Sequence, residues 1–597
     1  MNKKLLISLL SFLFVQGVFA QSNQVVENKD GSKTFNQGHL VMYDGVPFLT
    51  VKGDAYEMGL QYGVLLNKQL IKMDNTVDSL VESYIGSFFI KKWIAGAVLN
   101  KKIKKIEKIL PPEYLDELKG MADGSDLELK DLQLIAYFPQ LFFKISCTAF
   151  ILKNENGLVH GRNLDWPGIE VLTHFPLIVE YHKTDKIPVT VLTFMGYPGV
   201  YTGMNHNGLS MSINMNGTPP ANEHKIDDYN TGMPLAFKLR NILENADKIH
   251  EVDNLFKGYS SHAWFITVGS KKDNSGAIYE LTRGEVIKNQ MNNDFLYVAN
   301  LSLSDVGRYS YSPIWMHGTS NISRERKLQE LNLKLDTSDL IYKSYKILTS
   351  TENHHLMHDP FYAYGICNSN TIKSCIMDNM NNNIYFTYEE RYAALNKYLV
   401  YNINTGEIDT YQQKQDIADP DYFKARMDFQ QWYGKQFSGK KKLDNNDYSL
   451  IIKQILEFNL QPAYQAYLQS YYYDLMKDYD NANLQAQQYI LELPDFYNTY
   501  FNKYKIMRNK GDYMGAIVAL EQMMQTSTIN PYYEYLANVY MIEMYNELVN
   551  QKYDQIYVDK ILKLSKHVRW LVSQYMIDKD TQKDLDKIAN IEKKYLK

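Results

Sequence analysis

The chain has 597 residues, and 64 lysines and arginines set against 68 aspartates and glutamates leave a formal net charge of −4. A balance this close, with no block of like charge, excludes a basic nucleic-acid-binding field and a charged tail. The length exceeds one typical domain, and three cysteines exclude a disulfide-built scaffold.

Residues 1–20 hold two lysines, an apolar run from Leu5 to Phe14 and the small-residue end Val18-Phe19-Ala20. That is the pattern of a secretory signal peptide, so the protein is expected to be exported, to a periplasm or outside the cell. The apolar run is too short for a membrane span, and no cysteine follows the cut to carry a lipid. Residues 21–146 read as a helical segment. Within it, Gly53-Asp54-Ala55-Tyr56-Glu57-Met58-Gly59 followed by Gln61-Tyr62-Gly63 combines an N-cap candidate with small residues near four-residue spacing, the mark of a helix packed closely on a neighbour. Pro111-Pro112 opens a second helix that ends in glycines at 120 and 124. Two apolar stretches, Tyr84 to Leu99 and Tyr137 to Ile145, are a broken run and a short one, so neither spans a membrane. They read as helices packed on a core, with an acyl-chain groove or a membrane-facing surface as the sharper alternative.

Cys147 to Trp166 is a predicted β-hairpin. Cys147-Thr148-Ala149-Phe150-Ile151-Leu152 is rich in strand formers, Asn154 to Gly157 supplies the turn, and Leu158-Val159 starts the return strand. A thiol opens the first strand, and Arg162 and Asp165 close the second, so a nucleophile, a cation and a carboxylate meet at the open end. Strict alternation puts Arg162 and Asp165 on opposite faces, which predicts a bulge or a strand end near Asn163. The alternative is a buried structural cysteine beside an ion pair.

Cys-Thr-Ala, a hairpin, then Gly161-Arg162-Asn163-Leu164-Asp165-Trp166 resembles the nucleophile region of the N-terminal-nucleophile linear amide hydrolases, the group that includes the penicillin acyltransferase-like, choloylglycine hydrolase and acid ceramidase families. The glycine-bearing helices before Cys147 are similar to the prosegment of the acyltransferase-like branch. The resemblance implies self-cleavage of the Ser146-Cys147 bond, which frees the Cys147 amine. It also implies an αββα sandwich over residues 147–411.

Beyond the hairpin, extended runs are predicted at 189–194, 209–214, 264–269, 277–282, 295–300, 363–368, 371–377, 384–387 and 398–402, with a helix over 233–246. Strands in number with helices grouped around them make an α+β domain. Asn214 and Asn300 each end an apolar strand, where an amide is poorly placed in a core but well placed to donate to an oxyanion. Turn formation is the competing reading. The families also carry a later site arginine, which Arg324 of Ser323-Arg324-Glu325-Arg326 matches first and Arg326 second. Ile366-Cys367-Asn368 departs from the Cys-x-His usual in the acyltransferase-like branch. Spacing leaves open whether Cys367 and Cys375 pair. His354, His355 and His358 lack a ligand pattern, so neither a metal nor another cofactor is expected.

Residues 412–447 read as a linker around one helix, and 448–597 as all-helical. Asp478-Tyr479-Asp480-Asn481-Ala482 and Asp512-Tyr513-Met514-Gly515-Ala516 recur 34 residues apart, the period of a tetratricopeptide pair, so the domain is expected to be a degenerate helical repeat.

Together these point to an exported, self-processing amidohydrolase acting through Cys147 as nucleophile and its own amine as base. Arg162 would lower the thiol pKa, Asp165 would orient the amine, and Asn214 and Asn300 would line the oxyanion and leaving-group sites. The expected substrate is a small N-acyl amide with an apolar acyl group, and the helical domain could take a protein partner or self-associate. Acyl transfer to an amine uses the same residues. A secreted binding protein on a dead hydrolase fold is the reading from another class.

Overall fold

The structure is a computed structural model that describes residues 24–85, 101–141, 146–166, 170–215, 233–259, 264–282, 285–301, 303, 318–336, 338–352, 365–389, 392–413, 420–437, 442–527, 529, 531–574 and 579–596. The signal-peptide reading, most of the Tyr84–Leu99 stretch, residues 142–145 of the second apolar stretch, Lys440-Lys441, and His354, His355 and His358 lie outside the described residues.

Two sheets form the centre. The larger runs β1 (Val26–Glu27), β2 (Lys33–Phe35), β3 (Gly38–Tyr43), β4 (Val46–Gly53), β7 (Pro176–Lys183), β8 (Val189–Phe194), β9 (Thr202–Asn205), β10 (Leu209–Met215), β11 (Trp264–Ser270), β12 (Ser275–Thr282) and β13 (Glu285–Gln290), in that spatial order. The smaller runs β14 (Phe295–Val298), β5 (Ser146–Asn154), β6 (Gly157–Asp165), β15 (Thr371–Asp378), β16 (Asn383–Tyr388), β17 (Tyr398–Asn402) and β18 (Ile408–Tyr411). Among the described strands every pairing is antiparallel except β4 with β7, where Phe48 to Gly53 run parallel beside Ile178 to Lys183.

Apolar residues on both faces of the strands explain the layering. On β7, Ile178 faces the smaller sheet, packing with Phe48, Leu192, Met204, Cys375, Met377 and Phe386. Its neighbours Leu177 and Val179 face a helical layer. That layer holds α1 (Ala55–Ile85), α2 (Pro112–Gly124), α3 (Leu129–Leu141), α4 (Leu235–Asn245) and α5 (Ile249–Phe256), through side chains such as Met58, Leu118, Ile135, Leu239 and Val252. The outer face of the smaller sheet, with Phe150, Val159 and Ile376, packs on Leu328 of α6 (Gly318–Lys334) and Leu348 of α7 (Leu340–Leu348). The result is helix, sheet, sheet, helix: an α+β domain as the pattern predicts, layered as the resemblance implies.

The small residues of α1 and α2 do what their spacing implies. A Cβ on Gly59 would lie 2.0 Å from Glu117 O, and one on Gly120 would lie 2.2 Å from Tyr56 O, so each helix offers glycine where the other's backbone passes.

The reading of 21–146 as helical missed β1 to β4. Their signal was the Asp44-Gly45 pair between Tyr43 and Val46, with φ of 49° and 80°, a two-residue hairpin turn. The expected extended run over 363–368 is also corrected, because its described part, 365–368, is bent and unpaired. Cys367 and Cys375 are both free and buried, in separate apolar clusters, so the pairing left open by spacing is not formed.

The linker is partly structural. Its helix α8 (Pro420–Phe437) lays Phe423 against Tyr392 at 4.8 Å between ring centroids, while Phe429 and Phe437 pack forward on Ile451 and Ile455. Then follow α9 (Asn445–Glu457), α10 (Pro462–Leu475), α11 (Tyr479–Glu492), α12 (Tyr497–Lys510), α13 (Tyr513–Met523), α14 (Pro531–Gln551), α15 (Gln555–Gln574) and α16 (Lys579–Lys593). The 34-residue recurrence has a local cause. Lys477 and Gly511 both take positive φ, and the aspartates that follow cap α11 and α13 by accepting from Asn481 N and Gly515 N. Ala482 and Ala516 are fully buried at matching positions.

Candidate active site

The hairpin forms as read, with β5 and β6 paired from Ser146–Asp165 to Asn154–Gly157. The bulge expected near Asn163 is not on that strand. The irregularity lies on β15, between Thr371 and Lys373, and it leaves the alternation of β6 intact. Leu164 pairs with Cys147, so Arg162 shares the thiol's face, toward the larger sheet, while Asp165 and Asn163 face the α6–α7 side.

Arg162 spans the two sheets. Its Nη2 sits 3.5 Å from Cys147 Sγ and donates to Ile213 O at 2.6 Å, while Nη1 donates to the Thr202 hydroxyl. Burial pushes the Cys147 thiol up from its ordinary pKa, and the guanidinium opposes that shift. In the uncut chain the thiol is wholly buried.

Behind the thiol's backbone lies a polar network. Cys147 N donates to Asn300 Oδ1 at 2.8 Å, and Asn300 holds a left-handed φ of 65° just beyond β14. Arg324, fully buried on α6, donates to Cys147 O at 2.6 Å, Thr148 Oγ1 at 2.7 Å, Asn300 Oδ1 at 3.0 Å and Asn321 Oδ1 at 2.6 Å. Its guanidinium is 3.9 Å from Asp165. Arg326 is exposed, so only Arg324 of the two candidates reaches the cluster. Asp165 accepts from Thr371 Oγ1 at 2.7 Å and Asn368 Nδ2 at 3.0 Å, and burial raises its carboxyl pKa. The expected partner of the Cys147 nitrogen was Asp165; the structure gives that position to Asn300. Asn368, which stands where Cys-x-His would put histidine, works as a donor to Asp165.

Asn214 has no partner for either amide atom among the described residues, although it is fully buried. It lies on β10 between Ile213, whose carbonyl takes Arg162, and Met215, whose carbonyl accepts from Asn300 Nδ2 at 2.6 Å. Ser210 and Ser212, on the same face of β10, hydrogen-bond the two ring nitrogens of His160, which shares the face of Arg162 and Cys147. Asn214 therefore points into the layer that holds the thiol, with its amide unpaired there among the described residues.

Residues 152–434 match the family model described as acyl-coenzyme A:6-aminopenicillanic acid acyl-transferase, a match that starts within the strand of Cys147 and runs into α8. That stretch is similar to an acyl-transferase family, and the relatives the chain matches include two amide hydrolases. The chain is 35% identical over 126 residues to rabbit N-acylethanolamine-hydrolyzing acid amidase, covering 21% of this chain and 34% of that one. It is 25% identical over 230 residues to mouse acid ceramidase, covering 35% and 57%. Among solved structures, the Caenorhabditis elegans ortholog of the same amidase aligns over 39% of this chain and 93% of that one, at 23% identity and a TM-score of 0.31. The chain spans 34% to 54% of the length of the first relatives it matches. At this site, sequence reasoning missed Thr202, Asn321 and Thr371. It also missed the polar face of β10, which was visible as Ser210, Ser212 and Asn214 alternating with Met211 and Ile213.

Proposed function

We propose that the protein is an exported, self-processing cysteine amidohydrolase that cleaves a linear N-acyl amide through a thioester on Cys147. The observation that carries this reading is that the Cys147 nitrogen is already held by Asn300 while its sulfur lies beside Arg162. Cleavage before Cys147 turns that nitrogen into an α-amine of pKa near ~7.7–8.0, a suitable base at neutral pH. The amine takes the thiol proton as sulfur attacks the acyl carbon, and Asn214 donates to the developing oxyanion. The amine then protonates the leaving nitrogen as the C–N bond breaks, and water displaces the acyl group from sulfur by the same route. Arg324 and Asp165 hold the nucleophile's backbone and the acceptor asparagine.

The substrate class is a small N-acyl amide with an apolar acyl group. The helical repeat, tetratricopeptide-like in its period, serves partner binding or self-association. Intact-mass analysis tests the core of this reading. Wild type should give two fragments that meet between Ser146 and Cys147, and Cys147→Ala one chain. An active wild type that remains a single chain sinks the amine-base mechanism. Turnover of a series of acyl amides, with and without an added amine, then separates hydrolysis from acyl transfer.

A further inference from the structure

Glu180 and His182 are two apart on β7 and so share its inner face, the face of Ile178, and His206 follows β9 in the turn toward β10. Each offers one ligand atom, and the three atoms lie within 4.8 Å of one another. Glu180 Oε2 is 3.4 Å from His182 Nε2, and Oε1 is 3.5 Å from His206 Nε2. A settled hydrogen bond between such groups closes to about 2.7–3.2 Å. Ligands held at about 2.0–2.1 Å around a tetrahedral zinc ion are about 3.4 Å apart, which each ring nitrogen here matches against its own carboxylate oxygen, while the full set of three lies within 4.8 Å. His206 Nε2 is buried, and its approach to Glu180 is no shorter than 3.5 Å. The imidazoles meet edge to face at 5.4 Å between centroids, so neither ring blocks the space between them. The Thr50 and Thr190 hydroxyls, from β4 and β8, each lie 3.4 Å from one oxygen of Glu180, where they would serve as outer partners of the carboxylate once it closes on a metal.

We propose that Glu180, His182 and His206 form a site for one divalent transition-metal ion of the zinc class. Two imidazoles and a carboxylate are donors of the kind such ions take. The fourth position faces solvent, since His182 and His206 are 26% and 21% exposed. The last ångström of closure between the two rings is a side-chain rotation at these partly open positions. Bound metal would cross-link β7 to the β9–β10 turn, under a threonine from β4. The role is structural, because Cys147, Arg162 and the asparagines belong to a separate set of contacts.

The test uses tag-free full-length protein, stripped with chelator and titrated with Co2+ and then Zn2+. Wild type should bind one equivalent of Co2+ with the strong visible absorption of a four-coordinate site, lose it to Zn2+, and unfold at a higher temperature with metal than with chelator. His206→Ala and His182→Gln should abolish the spectrum and the thermal shift. Thr190→Val should weaken affinity by about 10- to 100-fold, and the exposed His39→Ala should change nothing. Circular dichroism checks that each variant is folded, and Glu180→Gln repeats the test at a third ligand. Folded wild type that binds no Co2+, or binding that survives both histidine changes, overturns the site.

Discussion

Replacing Glu117 by alanine should loosen the contact between α2 and α4 by about 3 kcal/mol. Arg240 lies wholly buried, with Nη1 2.7 Å from Glu117 Oε1 and Nε 2.9 Å from Glu244 Oε1. Its guanidinium carbon is 3.6 Å from the centroid of the Tyr181 ring, and Nη1 also donates to Pro198 O at 3.2 Å. Lys183 adds a second cation, 2.9 Å from Glu113 and 3.7 Å from Glu244. Removing one partner of a buried pair costs about 3–5 kcal/mol, because the other charge stays behind without water. Burial has already raised the pKa of Glu117, and Glu244 remains beside Arg240, so the lower end applies. Glu117→Gln keeps an acceptor and should cost about half as much. Asp116→Ala is the control, since its 2.7 Å pair with Lys119 is half-exposed and worth less than about 1 kcal/mol. Hydrogen exchange read by mass spectrometry in peptides from α2 and α4 measures the local opening energy directly, without assuming that so large a chain unfolds in two states. Equal protection in Glu117→Ala and Asp116→Ala would refute the reasoning.

At the α1–α2 crossing, Gly120→Ala gains about 1 kcal/mol of helix propensity but sets a Cβ 2.2 Å from Tyr56 O and 2.8 Å from Leu60 N. Overpacking of about 1–3 kcal/mol should win, so a thermal scan should show a lower midpoint, and a raised one would contradict the packing described. Lys373 is fully buried, donates to Leu192 O at 2.9 Å, and burial pushes its pKa down from 10.5 to about 7. Between those values the unfolded chain binds more protons than the folded one, so stability rises with pH across that window by up to about 1.4 kcal/mol per unit, and the penalty is complete below pH 7. Urea midpoints from pH 7 to 10 should climb in wild type and flatten in Lys373→Met; parallel curves would remove Lys373 as the cause.

Features carried by local chemistry were legible in the sequence. The Cys147–Trp166 hairpin followed from its turn residues, and the close helix crossing from spaced glycines. The all-helical character of residues 448–597 was legible as well, with aspartates capping two of its helices. The proximity of Arg162 to the thiol was also legible, because a hairpin closes on its own ends. Less legible was whatever depended on another strand. β7 joins Leu177, Ile178 and Val179 to Glu180, His182 and Lys183, and β9 is only Thr202 to Asn205, so neither is long or regular enough to show a period. The bonding of Asp165 depends on Thr371 and Asn368, more than two hundred positions later. Spacing cannot pair Glu180 with His206, because β8, β9 and the connections around them stand between the two.

The parallel pairing of β4 with β7 bears on what happens to the amino-terminal piece. Strands β1 to β4 cover one edge of the larger sheet, and β7 behind them is a strand with Leu177, Ile178 and Val179 buried. A chain cut before Cys147 that lost this piece would bare a row of unpaired backbone groups on an apolar strand, a template for aggregation. The piece thus acts as an edge guard for β7. If the proposed cut before Cys147 is made, the two chains taken apart in denaturant should fail to reassemble, however well the uncut chain folds.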